Sequence, residues 1–375
     1  MNFEFSEYQI VLRTSIEKYL RGSYQFSDRA ESRSSRDGFD TAIWNEVSEL
    51  GYLSIPFSVE FGGYSGDPID TLILFEQLGY YRVTEPFLES LALGAQVLDV
   101  LHDDRFKGLV ERTISGSVHI ALAHEERGSS YSLDAVSTQA ETCEGGYKIQ
   151  GSKSVVYNAA AADKIVLSAM IDGERLGLFL VDRDALDLYN YRTFDGSNAA
   201  EVSANQVLVG ADALLTQSES TSILEQVTDM AILAACSEQV GMMRRLNELT
   251  IAYTGQRRQF GSALSDFQVL QHTMADMHVA FELATSLLYA AAIHLRDGNP
   301  MASEYLAALK VRCDRSAGEI AHSAFQLHGA IATTDECEVG HHLKRIVVLA
   351  QKFGGTEFHL DRFCRLRDKR IDNAA

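Results

Sequence analysis

The chain has 375 residues, of which 46% are apolar and 23% charged, and its 33 basic against 52 acidic residues give a net charge of −19. That length and apolar share can bury a core unaided, which excludes a disordered chain, a collagen-like fibre and a small stapled scaffold. The acidic surface argues against nucleic acid and anionic membrane as partners, while a small anion needs only a local basic pocket.

In chain order, residues 1–115 read as a helical domain. Apolar residues recur at helical spacing over Phe5–Leu20, Phe39–Leu50, Ile69–Leu78 and Leu91–Leu101. Ser54–Asp67 carries Gly62, Gly63 and Gly66 and reads as a loop, and Gly79 is placed to cap a helix. Residues 116–215 change character. Val118–Ala123, Val136–Gln139, Tyr147–Ile149, Lys164–Ala169 and Leu176–Val181 are short β-type runs between Gly, Asp and Asn, which predicts a β-barrel or sandwich. Residues 216–375 return to the helical period over Ile223–Thr254, Phe267–Asp297, Met301–Leu327 and His341–Lys352, which predicts a four-helix bundle. The fold class expected is therefore α+β and multidomain.

The N-terminus is acidic and lacks the apolar core of a signal peptide, and no run of about 18 uncharged apolar residues occurs. A cytoplasmic protein without a membrane span is expected. Cys143, Cys236, Cys313, Cys337 and Cys364 form no CxxC pair, so neither a metal site nor a disulfide framework is expected, only scattered buried thiols. No GxGxxG and no GxxxxGK[ST] motif is present, which sets aside Rossmann and P-loop chemistry.

Several motifs then follow one another along the chain. Arg257–Met277 reads RRQFGSALSDFQVLQHTMADM and resembles the pattern RxxFGxxLxxFQxxQxxLADM of the acyl-CoA dehydrogenase family. FQLHGAIATTDE is similar to QxxGGxGxTxE, and Phe353–Thr356 to YEGT. IPFSVEFGG, EQLG, HEERGSS, GSKSVVYNAAAAD and LFLVD resemble VPExYGG, EELG, TEPxAGSD, GxKxxITNxxxAD and FLVD. AHEERGSSYSL, GSKSVVYNAAAADKIVLSA and ACSEQVGMM further resemble the small-subunit type of pimeloyl-CoA dehydrogenase-like heteromeric enzymes. The resemblance implies FAD, an acyl-CoA substrate, α,β-desaturation, electron transfer flavoprotein as acceptor, and a homo- or hetero-oligomer of homologous subunits.

The implied reaction needs a carboxylate to remove the α-proton, an acceptor for the β-hydride, and donors that polarise the thioester carbonyl. The family's carboxylate in YEGT falls on Gly354, and the position some relatives use instead falls on Ala231. Glu238 lies seven residues after Ala231, on about the same helical face among apolar and small neighbours. It reads either as the catalytic base or as a carboxylate that caps a helix or pairs with an arginine. Asp229 is a weaker candidate, read as solvated.

For the cofactor, the resemblance assigns Arg257 to the pyrophosphate across a dimer, with Phe260, Gln268 and Gln271 beside it. A guanidinium fork suits that anion. Gln326 matches an adenine contact, Gly329 a close backbone approach, and Thr356 a hydroxyl on FAD, while Ala330 replaces the second glycine of the family pair. His124 stands where a threonine flanks the flavin ring, and Ser129 matches the serine of AGSD. Surface charge, core packing and helix-end hydrogen bonding remain the bland alternatives for these residues. So do a catalytically silent partner subunit, an acyl-CoA oxidase and a flavin-free binding protein for the whole chain.

Overall fold

A computed structural model describes residues 5–24, 26 and 38–374, so the first residues of the N-terminal reading lie outside the described part. Its contacts group into two compact units. One takes in α1 (Glu7–Ser23), Asp67–Val83 and the chain from Ile232 onward; the other runs to Gly66 and then over Thr84–Ala231.

In the helical unit, α1 starts on a reciprocal cap. Ser6 Oγ accepts from Gln9 N at 3.2 Å, and Ser6 N donates to Gln9 Oε1 at 3.1 Å. Leu12, Ile16 and Leu20, four apart, make its buried stripe. Asp67 caps helix Pro68–Tyr80, whose first residue is a proline already set to the helical φ. That helix buries every residue from Ile69 to Gly79. The long helices follow: Ser220–Gln256, which enters this unit at Ile232, then Gln268–Arg296, Ala302–His328, Glu338–Gln351 and Thr356–Ala374.

Helix α2 (Thr41–Glu49) opens the second unit under an Asp40 cap, with Trp44 and Val47 buried. In chain order, Pro68–Tyr80 is then α3, and Ala95–Leu101 and Lys107–Ile114 are α4 and α5. The five long helices are α6 to α10. α10 is a fifth C-terminal helix where four were expected. Its charged sequence, TEFHLDRFCRLRDKRIDNA, hides the helical period, and α8 (Ala302–His328) supplies its packing partner.

Gly79 is not a cap, because α3 runs on to Tyr80 with Tyr81 as its C-cap. The glycine serves a crossing of backbones instead. A Cβ at Gly79 would lie 2.8 Å from Glu238 Cα, and a Cβ at Gly241 would lie 2.7 Å from Tyr80 N. α3 and α6 therefore meet at a distance only glycine permits.

The helix α7 (Gln268–Arg296) holds an 18-residue window of mean hydropathy 1.3, long and apolar enough to cross a membrane by length and composition. Every 18-residue stretch of this helix includes the charged Glu282, so it is not the uncharged apolar run that the sequence reading looked for. The helix packs on α8 and α3, as a bundle helix does.

The second unit holds one eight-stranded mixed sheet, ordered β6-β7-β3-β2-β4-β5-β8 with β1 on β4. Its strands are β1 Ile120–Ala123, β2 Gln139–Cys143, β3 Gly146–Tyr157, β4 Lys164–Ile171, β5 Arg175–Asp182, β6 Asp187–Arg192, β7 Asn198–Gly210 and β8 Leu214–Thr216. Val136 to Thr138 precede β2 rather than forming a strand, because Thr138 and Ser137 turn their groups to a glutamate described below. Ala121, Ile149, Ile165, Phe179 and Val202 belong to its core cluster. β3 pairs with β7 with register breaks around Ile149 and after Lys153. At the second break Val155 takes φ +53°, a conformation a β-branched side chain rarely adopts. Of the cysteines, all free, only Cys236 and Cys313 are fully buried; Cys143 and Cys364 are exposed.

Candidate functional site

The sequence candidates fall into the two units and are described there separately. In the helical unit, α6 ends at Gln256 and the chain turns through a two-stranded ribbon, β9 (Arg258–Gln259) and β10 (Ser262–Ala263). The two residues between them, Phe260 and Gly261, have φ +54° and +86°, the signs of a type I′ hairpin turn. A phenylalanine at a position that favours Asn, Asp or Gly is backbone strain, and its ring is 91% exposed. Its edge meets the ring of Phe267 at 6.2 Å.

Arg257 donates its backbone N–H to Tyr253 O at 2.8 Å and accepts from Leu264 N at 2.9 Å, while its guanidinium is exposed and carries no ion pair among the described residues. Gln268 and Gln271 open α7 on the exposed side, and Gln271 Nε2 donates back to Ser265 O at 2.8 Å. Tyr253 stacks on His328 with ring centroids 4.4 Å apart. That stack pins the end of α8 to the end of α6. It brings exposed Gln326 and Gly329 to the same end of the unit as Arg257 and Phe260. Gly329 has φ +67° and ψ −144°, which only glycine adopts freely, and no atom lies within 4 Å of where its Cβ would be. Thr356, half-buried, is the first residue of α10.

Glu238 sits on α6 with 4% of its surface exposed. Its two oxygens accept from one guanidinium: Arg345 Nε to Oε1 at 2.7 Å and Nη2 to Oε2 at 2.9 Å. This bidentate pair, on a buried arginine of α9 (Glu338–Gln351), is the arginine-pairing alternative for Glu238. The neighbouring Gln239 donates to Asp314 Oδ1 at 3.0 Å. Asp314 in turn holds the fully buried Lys310 at 2.7 and 2.8 Å, and Lys310 Nζ donates to Leu349 O and Ala350 O at the C-terminal end of α9. Ala231, the second base position, is fully buried with no ionisable group. Gly354 has φ +101°, and a Cβ there would lie 2.9 Å from Phe358 Cγ. The place of the missing carboxylate is thus filled by an aromatic ring. Asp229, expected to be solvated, is 7% exposed.

In the sheet unit, His124 follows the last residue of β1 and is buried. Its Nδ1 lies 3.0 Å from Ser168 Oγ on β4. Lys153 on β3, fully buried, donates to Glu126 Oε1 at 2.7 Å, Ser168 Oγ at 2.9 Å and His124 O at 3.3 Å. Glu126 also accepts from Ser137 N at 2.7 Å, Thr138 N at 3.0 Å, Thr138 Oγ1 at 2.6 Å and Ser137 Oγ.

Burial raises the Glu126 carboxyl, but these donors outweigh it and hold the group down at about 2. Burial, and then the charge of Lys153, pushes the His124 ring down to about 4. Burial pushes Lys153 down to about 8 against the pull of Glu126. Ser129 gives its hydroxyl to Glu126 O at 3.0 Å or Glu125 Oε2 at 3.1 Å, so it closes its own loop. Burial raises the Glu125 carboxyl.

The sequence reading of candidate sites passed over Glu126, Lys153 and Ser168. A charged pair in GSKS and HEER gives no local period. Only the approach of β3 to the β1–β4 pair brings these side chains together.

The C-terminal domain of acyl-CoA dehydrogenases matches residues 221–365, and their N-terminal domain matches residues 6–98. The probable acyl-CoA dehydrogenase YngJ of Bacillus subtilis is 27% identical over 351 residues, covering 88% of this chain and 90% of that protein. Among solved structures, the FAD complex of PigA aligns with TM-score 0.90 at 22% identity over 99% of this chain and 100% of that one. The ChsE4-ChsE5 complex from Mycobacterium tuberculosis aligns with TM-score 0.88 at 20% identity over 97% and 98%. These two likenesses establish a shared fold.

Proposed function

Because the chain belongs to the acyl-CoA dehydrogenase family, we propose that it is a flavin-dependent oxidoreductase subunit. It takes part in α,β-desaturation of an acyl-CoA thioester within a homo- or hetero-oligomer of homologous subunits and passes electrons to electron transfer flavoprotein. The observation that carries this reading is the exposed end of the helical unit. In a chain of net charge −19, Arg257 keeps a guanidinium without an ion pair among the described residues, close in sequence to a strained, 91% exposed Phe260.

Those groups fit FAD. Arg257 matches an anionic pyrophosphate, Gln326 can hydrogen-bond an adenine edge, and Gly329 leaves its backbone open to close approach. When bound, FAD supplies the acceptor for the β-hydride. Phe260 on its hairpin supplies an apolar face for a neighbouring subunit, and strain at an exposed tip supports a role outside the chain's own core.

Glu238 is the base we assign on this chain, on the condition that a bound thioester loosens Arg345. A second reading is favoured by the bidentate hold of Arg345 and by the ring of Phe358 over Gly354. In it the chain is a catalytically silent partner that completes the flavin site of a homologous subunit.

One experiment separates the two. The visible spectrum of the purified chain is recorded with and without a panel of acyl-CoA thioesters under anaerobic conditions. Bleaching that vanishes in Glu238→Gln with the flavin band retained supports the base. A retained band that no thioester bleaches until a homologous subunit is added supports the silent partner. A protein that takes up no FAD alone removes the base reading, and one that takes up none even with a homologous subunit present overturns both. Gel filtration that gives only a monomer removes the oligomer.

A further inference from the structure

The buried network at the end of β1 determines more than the burial of a charge. Lys153 carries three donors and no acceptor. Its contacts are the carboxylate of Glu126, the hydroxyl of Ser168 and the carbonyl of His124. Ser168 Oγ therefore accepts from Lys153. Its own hydrogen has one remaining described partner, Nδ1 of His124 at 3.0 Å, and Ser168 is fully buried, so a hydrogen turned elsewhere would go unsatisfied. Nδ1 is thus the acceptor of that bond. A neutral imidazole that accepts at Nδ1 carries its hydrogen on Nε2. Nε2 has no hydrogen-bond partner among the described residues.

We propose that Lys153, acting through Ser168, is a positioning residue that fixes His124 as the neutral Nε2–H tautomer. His124 then presents one donor, and never an acceptor, to a ligand acceptor atom such as a heteroaromatic nitrogen or carbonyl at the end of β1. The proposal rests on the flavin reading for the identity of that ligand but not for the tautomer itself. The groups that face the ring share the task. The Lys153 ammonium, one serine away, opposes imidazolium formation, and the Glu126 carboxylate keeps that ammonium charged. Glu125, next in the chain, bonds to Ser129 rather than to the ring.

The test is a long-range proton–nitrogen NMR spectrum of the FAD-loaded protein labelled with nitrogen-15 in its histidine rings, with His124 assigned by its loss in His124→Gln. The expected result is a single neutral species with Nε2 protonated and Nδ1 in its acceptor state from pH 7 down to pH 5. Ser168→Ala should lose the single-tautomer signal, and Ser168→Thr, which keeps the hydroxyl, should retain it. Wild-type His124 protonated on Nδ1, or present as imidazolium at neutral pH, overturns the proposal even if no variant folds. An unchanged single Nε2–H signal in a folded Ser168→Ala variant overturns the relay. The flavin band of the same samples reports separately on the cofactor reading, so the two cannot fail as one.

Discussion

The Glu126–Lys153 pair should be asymmetric when broken. Lys153 is fully buried, and with Gln in place of Glu126 it would retain only neutral oxygens as acceptors and no counter-charge in contact. Removing one partner of a buried pair costs about 3–5 kcal/mol because a charge is left uncompensated. The loss has a ceiling. Neutralising a lysine of ordinary pKa near pH 7 costs about 5 kcal/mol, so the amine would deprotonate before the cost exceeded that. Glu126 is in a different position. Without Lys153 it still accepts from two backbone amides and two hydroxyls of Ser137 and Thr138. It loses one charge-assisted bond, about 1.5–3 kcal/mol. Glu126→Gln should therefore destabilise the protein by about 2 kcal/mol more than Lys153→Met. The double variant should recover part of the sum, because the two residues share one interaction. Urea unfolding at pH 7, read as midpoints at an unchanged slope, measures this. A Lys153→Met variant that costs as much as Glu126→Gln would refute the claim that the four remaining donors hold the carboxylate.

Two further outcomes follow from geometry and charge. Gly241→Ala should destabilise by about 1–3 kcal/mol or more, since its Cβ meets backbone rather than a movable side chain, whereas Gly22→Ala, with nothing within 4 Å, should stabilise α1 by about 0.4–1 kcal/mol. Thermal unfolding compares the two. His124 and His359 both titrate near 4 in the folded protein, each lowered chiefly by burial, against about 6.5 when unfolded. The unfolded chain thus binds more protons between those values, and stability should fall as pH drops from about 6.5 to about 4, by up to about 3 kcal/mol per histidine. Replacing His124 by Gln should shallow that slope; a slope unchanged in the variant would remove His124 from the account.

Much of the fold was legible because periodicity is local. Leu12, Ile16 and Leu20 announce α1, and Asp67-Pro68 announces the start of α3. The hairpin at Phe260-Gly261 was visible only as a motif, and its positive φ angles explain why glycine follows the aromatic. Gly79 misled because a glycine near a helix end has the same local appearance whether it caps or crosses, and only Glu238, far along the chain, decides which. The same holds for Glu238 itself. Its apolar neighbours are equally those of a buried base and of a buried ion pair, and Arg345 is 107 residues away. The Lys153 network left no trace in any period, since its members come from β3, from β4 and from the loop after β1.

The polar contacts of the helical unit close on themselves. Adjacent residues of α6, Glu238 and Gln239, reach α9 through Arg345 and α8 through Asp314. Asp314 holds Lys310, which returns to the end of α9 at Leu349 and Ala350. Apolar helix faces can exchange one ridge for the next with little to distinguish them, but a closed circuit of directional bonds admits a single register. A slip of one turn by any of the three helices, about 5.4 Å, would open the links it makes to both of the others, while the Lys310–Asp314 pair within α8 would stay. The ring therefore acts as a key for the alignment of three helices, and it ties the fate of its members together. A neutral path to a different residue at any one of them runs through simultaneous change at its neighbour.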